Sequence, residues 1–308
     1  MALGLMCQYL SQKSKKNGSI IYDNIIDEKS LQLGAWKAGK YSDDKILETY
    51  RNNIKTHIDF FPILVKENIK NFRISSSLFP LFEFVGNIAK EDKLIIDGLK
   101  TLGRLFKQNN IRVTCHPGQF TVLSSDKDSV VENSIKELQY HAWVFDMMQF
   151  AENNFYAINI HGGKSDRTQR LIDVIKSLPS NVKNRLTLEN DERCYNVKNL
   201  LDIHKETGVP IVFDSHHHSF GDNDYDFECS FRSCVDTWNV KPLQHISNTE
   251  PGLENASYSQ RRSHSDYIHY VNPLQLDAIQ KDLIDLDVEA KMKNFALHKM
   301  RKDFHIFS

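Results

Sequence analysis

Eight short apolar runs, each followed by a longer amphipathic stretch, constrain this chain more than any other feature of it. The runs are LGLMC (3–7), FRIS (72–75), IRVTC (111–115), YAINI (156–160), RLTLE (185–189), PIVFD (210–214), PLQHI (242–246) and LIDLDVE (283–289). Runs of this length bounded by polar segments read as strands. Between them, Ile95, Leu99, Leu102 and Phe106 recur at helical spacing, as do Ile135, Leu138, Ala142 and Phe145. Each set makes an apolar stripe on one helix face. The stretch 44–70 is also helical in pattern, with Pro62 expected to kink or restart it. Strands alternating with helices call for a parallel sheet. Eight such units predict an α/β protein of the (β/α)8 TIM-barrel type. The competing architecture is an open doubly wound sheet, and the absence of a G-x-G-x-x-G after the first run counts against it. No linker or low-complexity tract interrupts the chain, so a single barrel domain is expected over residues 1–308. The longest irregular segment, 11–43, follows the first strand and would lie on the catalytic face.

Composition narrows the setting. Thirty-nine basic residues against 40 acidic ones leave a formal charge of −1. That excludes a globally basic nucleic-acid binder but not a local basic groove. The five cysteines include no C-x-x-C and point to reduced thiols rather than a disulfide framework. No apolar run approaches the roughly 18 residues of a membrane span. The N-terminal MALGLMCQYLSQKSKK has too short an apolar stretch and too late a basic cluster for a secretory signal. An intracellular, cytoplasmic protein is expected, with no membrane and no obligate protein partner implied.

In a parallel barrel the active site lies at the C-terminal ends of the strands. Those positions hold His116, His161, Glu189, Asp214, His245 and Glu289, with His217 three residues past Asp214 and His264 in the long loop after the seventh strand. A lone histidine at a strand end is ordinarily structural. A ring of imidazoles and carboxylates at successive strand ends is a different matter, because packed carboxylates repel one another unless cations share the site. Imidazole and carboxylate without thiol suit Zn or Mn at a water-bearing site. Asp266, two residues after His264, is a further possible ligand. His216 and His218 are expected to be exposed or to support the site, and Cys115 is expected to face away from it.

Two or three divalent ions bridged by carboxylates fit phosphodiester hydrolysis, with Glu189 and Glu289 placed to bridge them or to orient the attacking water. A sugar isomerase on the same barrel would use a similar ring. The segment VTCHPGQFTVLSS (113–125) separates the two readings. Its turn holds Gln119 and Phe120 at a loop tip, which has no use in a small enclosed sugar pocket. A projecting aromatic can stack on an exposed base and a projecting amide can fill an opened base pair. Lys13, Lys15, Lys16, Arg261 and Arg262 fall on the same face, where they could meet phosphates.

The motifs FRISS, CHPGQF, NIHGG, LENDE, FDSHHH, RRSHSDY and DVEAKMK together resemble the UV damage endonucleases, barrel enzymes related to the endonuclease IV class of abasic-site nucleases. The likeness runs from residue 3 to about residue 298. It implies incision of DNA immediately 5′ of ultraviolet photoproducts in a damaged duplex, leaving a 3′-hydroxyl. It also implies manganese-type metals, with Zn or Mg as alternatives. His116, His161 and Glu189 would hold one ion; Glu189, Asp214, His245 and Glu289 a second; His217 and His264 would contribute to a third. Gln119 and Phe120 would probe the lesion. The sequence departs from the family at Leu5 and Tyr9, which stand where Tyr and Asn are common, and at Ser77, where His or Asp often follows RISS. It departs again at Leu243, where some members carry a modified lysine; Lys241 lies deeper on the same strand. Abasic-site cleavage and sugar isomerisation remain the alternative functions at this point.

Overall fold

The structure, a computed structural model, describes residues 2–16, 19–221 and 224–306. The apolar runs form eight barrel strands, their ends shifted by a residue or two from the sequence pattern. They are β1 (Ala2–Met6), β2 (Asn71–Ile74), β3 (Arg112–Cys115), β4 (Ile158–Ile160), β5 (Leu186–Glu189), β6 (Ile211–Asp214), β7 (Leu243–Ile246) and β8 (Asp285–Val288). All pair in parallel, and β1 joins β8 to close the barrel.

The expected helical stripes face the core: Ile95, Leu99, Leu102 and Phe106 are buried on the helix Lys93–Gln108, and Leu138, Ala142 and Phe145 are buried on Asp128–Met147 with Ile135 half-buried beside them. Apolar side chains between the strands and this outer ring make up the main core, which includes Leu3, Leu5, Phe72, Cys115 and Phe213. Two expectations are corrected. The helix Asp43–Lys66 runs through Pro62 rather than restarting there. Pro62 forfeits one backbone bond near the helix C-terminus, while Phe60, Phe61 and Leu64 are buried around it and hold the turn in place. The segment 11–43 is not irregular throughout. Leu10–Lys16 and Ser19–Asn24 form an antiparallel hairpin on the rim, tied down where Leu10 and the Asn294 side chain exchange hydrogen bonds of 2.7 and 3.1 Å.

The barrel interior is stratified. At the floor, Arg112 donates to the carbonyls of Asn154, Phe155 and Lys241 and to Asp285. Lys241 pairs with Asp282 and Asp285, and Leu243 packs with Ala157, Val212 and Trp238. One layer higher, Gly4, Asn71, Asp287 and His245 lie in register across β1, β2, β8 and β7. Above them the strand ends open into the site.

Candidate metal centre

Three overlapping groups of ligand atoms line the mouth of the barrel, each with its atoms within 4.8 Å of one another. His116, His161 and Glu189 form the first; Glu189, Asp214 and His217 the second; Asp214, His245 and Glu289 the third. Glu189 and Asp214 each belong to two groups, so the clusters form a chain across the pole. Glu189 sits at its centre, 3.3 Å from His116 Nε2, 4.0 Å from His161 Nε2 and 3.0 Å from His245 Nδ1. His264 stands at the far end, with Nε2 3.6 Å from Glu289. All eight residues expected from the sequence therefore come together. Their grouping differs in two respects: His217 lies with Glu189 and Asp214, its ring 5.2 Å from that of His161, and Asp214, His245 and Glu289 form a group without Glu189.

Short-range structure explains these positions. The Asn190 side chain donates to the Asp214 carbonyl and accepts from the Asp214 amide, which clamps the ends of β5 and β6 together. Asp214 caps the turn Ser215–His218 by accepting from the His217 amide at 2.7 Å, and this presents the His217 ring to the pole. In NIHGG, Gly163 has φ of +112°, and a β-carbon there would strike Val122. Ser124 meanwhile binds both backbone groups of Lys164. The loops after β3 and β4 are thereby stitched side by side.

Electrostatics favour cation ligation. Burial opposes ionisation of Glu189, yet His245 and His161 beside it hold its carboxyl well below the usual range. Burial likewise works against Glu289, and Arg73 and His245 keep it ionised. Burial disfavours charge on His217, but Asp214 and Glu192 push its value up to about 10. His161 is lowered, chiefly by burial. Among the described residues, Asp214 Oδ2 and His161 Nδ1 are buried with no hydrogen-bond partner. An unsatisfied buried polar atom costs about 1–3 kcal/mol, and a divalent cation would satisfy the carboxylate oxygen. The donors are all imidazole nitrogen and carboxylate oxygen, a set that fits Mn, Zn or Mg. These residues can hold metal.

Several supporting residues lie within the quoted motifs but carry no signal as ligands. Arg73, in FRISS, reaches Glu289 at 2.5 Å and His245 Nε2 at 2.7 Å. Asn159, in NIHGG, donates to Glu189 at 2.5 Å. Glu192, in LENDE, binds His217 at 2.5 Å and also pairs with Arg262. Their period-two spacing on strands, or their place one turn past a ligand, is the only clue the sequence offers. His216 and His218 are buried rather than exposed, and His216 Nε2 contacts the Arg262 carbonyl. The Asp266 side chain is exposed and stands outside the three groups.

Beside this pole lies a cavity of about 220 Å³ lined by His116, Gln119, His161, Glu192, His217 and Arg262. Gly118–Thr121 is a tight turn, with Thr121 N bonded to Gly118 O at 2.9 Å and Gln119 and Phe120 at its centre. Phe120 is 83% exposed, so it does not pack under its own loop. A second depression, with Glu83, Val130 and Glu137 in its wall, opens on the other side of this turn. Gln119 and Phe120 form the ridge between the two.

The model of the family described as UV-endonuclease UvdE matches residues 19–308. The chain belongs to the UV-endonuclease family. It is 34% identical to the UV DNA damage endonuclease of Nostoc sp. over 270 residues, covering 84% of this chain and 80% of that one. It is 36% identical to the protein of the same name from Deinococcus radiodurans, covering 83% and 84%. The crystal structure of SacUVDE superposes over 100% of both chains with a TM-score of 0.79 and 27% identity. Against this family background Leu5 turns into the main core, and the Tyr9 ring packs on Phe60 at 5.5 Å rather than lining the cavity. Lys241 remains at the barrel floor between two carboxylates, where an added carboxyl group would be repelled.

Proposed function

We propose that this UV-endonuclease family member is a metal-dependent endonuclease that nicks double-stranded DNA on the 5′ side of ultraviolet photoproducts, leaving a 3′-hydroxyl. The observation that carries the reading is the chain of His–carboxylate groups sharing Glu189 and Asp214, set directly beside an exposed Gln119–Phe120 ridge. A small sugar would have no need of that ridge. Two or three divalent ions, manganese first among them, would be held by His116, His161, Glu189, Asp214, His217, His245, His264 and Glu289. Such ions supply hydroxide near neutral pH and stabilise the leaving oxygen.

The protein's own groups do the rest. Glu189 and Glu289 are the proposed catalytic carboxylates, orienting the attacking water at the pole. Phe120 stacks on a base beside a lesion and Gln119 fills the opened pair, where unstacking is least costly because the duplex is already distorted. Arg262 lines the cavity with its guanidinium fixed by Glu192, placed to meet a phosphate. Lys13 pairs with Asp23 on the hairpin, while the Lys15 and Lys16 side chains lie outside the described residues. No helix among the described residues is long and apolar enough to cross a membrane.

The test is Mn²⁺-dependent nicking by metal-stripped protein of one labelled duplex in three forms: intact, with a thymine dimer, and with an abasic site. His161→Ala is the control. A nick just 5′ of the dimer, absent from the control and from the intact duplex, is expected. Cleavage of the abasic duplex alone would move the activity to the sister class, and no cleavage of any duplex would end the nuclease reading.

A further inference from the structure

A carboxylate outside the ligand set lies directly behind one of its members. Asp287 is fully buried on β8, in register with His245 on β7, and four neighbours shape its position. Gly4 on β1 leaves it room, since a β-carbon there would run into Asp287 Oδ1. Asn71 donates to the same oxygen at 2.5 Å. Arg73 donates to the other oxygen from Nε at 3.2 Å and from Nη2 at 3.0 Å. His245 Nε2 lies 3.6 Å from that second oxygen, while Nδ1 of the same ring faces Glu189 at 3.0 Å and Glu289 at 3.4 Å.

A neutral imidazole carries one ring proton, and where the proton sits decides which nitrogen offers a lone pair. For Nδ1 to serve a cation among the carboxylates, the proton must be on Nε2, which then needs an acceptor. Arg73 Nη2, 2.7 Å from Nε2, is a donor and cannot be that acceptor. Two arrangements therefore compete. Donation by Arg73 places the ring proton on Nδ1 and closes the site; donation to Asp287 places it on Nε2 and opens the site. A buried carboxylate given its own glycine and a dedicated amide is built for the second.

We propose that Asp287 is a positioning residue, which accepts the Nε2 proton of His245 and so fixes the tautomer whose Nδ1 lone pair faces Glu189 and Glu289. This rests on reading the pole as a metal centre. Arg73, whose Nη2 stands 2.7 Å from Nε2 with Asp287 at 3.6 Å, must then turn away from the ring to Asp287 and Glu289, which it already reaches at 3.0 and 2.5 Å, so that the ring and Asp287 can close to a hydrogen bond. Removing a carboxylate that orients a ligating histidine typically weakens metal binding by about 10- to 100-fold.

The test titrates Mn²⁺ into metal-stripped wild type, Asp287→Asn, His245→Gln and the double variant, reading free Mn²⁺ by electron paramagnetic resonance and folding by near-ultraviolet circular dichroism. Asp287→Asn should weaken the ion that His245→Gln also weakens, by about 10- to 100-fold, and should add no further loss in the double variant. Unchanged affinity in Asp287→Asn, or losses that simply add, would overturn the assignment. If wild type takes up no Mn²⁺, the metal reading falls and the proposal with it; if wild type binds and His245→Gln leaves its affinity untouched, the proposal alone falls. A wild-type measurement avoids dependence on variant folding: with ring-¹⁵N histidine and Zn²⁺ bound, His245 should carry its proton on Nε2. A proton on Nδ1 would equally overturn the proposal.

Discussion

Among single residues, Phe120 and Arg112 mark opposite extremes of one rule. Phe120 keeps 83% of its surface in solvent, an unfavourable place for a large aromatic unless something covers it during function. Phe120→Ala is expected to leave the unfolding midpoint unchanged while raising KM for dimer-bearing duplex, by an amount equivalent to about 1–3 kcal/mol. A lowered midpoint with unchanged KM would show that the ring packs rather than probes. Arg112 is 1% exposed and neutralises Asp285 beneath the barrel while holding three carbonyls. Arg112→Ala leaves Asp285 to Lys241 alone and strips three carbonyls of their donor, at an expected loss of about 3–5 kcal/mol in urea unfolding. The two positions were unequally legible. Gln-Phe after a Pro-Gly pair announces a loop tip, whereas an arginine inside IRVTC gives no sign that it is a floor plug, because its partners come from distant strands.

Elements were legible wherever periodicity was strong. The strands and the stripes on Lys93–Gln108 and Asp128–Met147 follow from apolar spacing alone. The rim hairpin does not, because Leu10–Lys16 (LSQKSKK) lacks the alternation of a half-buried strand; the Asn-Gly pair between its strands in sequence is the only turn signal. Pro62 misleads in the opposite direction, since the packing of its neighbours outweighs one lost backbone bond. It is exposed, so Pro62→Ala should leave packing alone and restore that bond, stabilising the protein by about 1–3 kcal/mol in urea unfolding. At the start of Lys93–Gln108, Asp92 accepts from the Ile95 amide and pairs with Arg51. The ion pair to Arg51 and the cap hold the carboxyl below its ordinary value. A depressed carboxyl stabilises the fold fully above its unfolded value, about pH 4, and loses that contribution as pH falls toward the folded value. Asp92→Ala should therefore cost about 1–2 kcal/mol at neutral pH. The difference from wild type should narrow below about pH 4; a pH-independent difference would assign the effect to helix propensity alone.

Taken whole, the molecule gathers Glu189, Asp214 and Glu289 at one pole, over a floor where Asp285 is paired with Arg112 and Lys241. The candidate ligand residues were legible because the barrel maps strand ends onto one face, so a position in sequence becomes a position in space. The residues that hold them were not. Asp287, Arg73 and Glu192 act through registers and loop contacts that only the closed barrel creates. This arrangement has a consequence for stability. Glu189, Asp214 and Glu289 converge, with Asp214 Oδ2 unsatisfied, and the folded chain should bind divalent cations far better than the unfolded one. Such linkage stabilises by about 2.7 kcal/mol when free metal is a hundredfold above its dissociation constant. Stripping with a chelator should therefore lower the unfolding midpoint, and Mn²⁺ should restore it in a concentration-dependent way. Protons compete with metal for imidazole, so the restored increment should shrink as pH falls through the histidine range. Asp214→Asn, which removes a ligand shared by two groups but keeps the side chain's shape, should lose much of the Mn²⁺-dependent increment while unfolding cooperatively. Calorimetry with and without Mn²⁺ at two pH values checks all three, and a midpoint indifferent to metal would mean that the pole balances its carboxylates with Arg73 and protonated histidines alone.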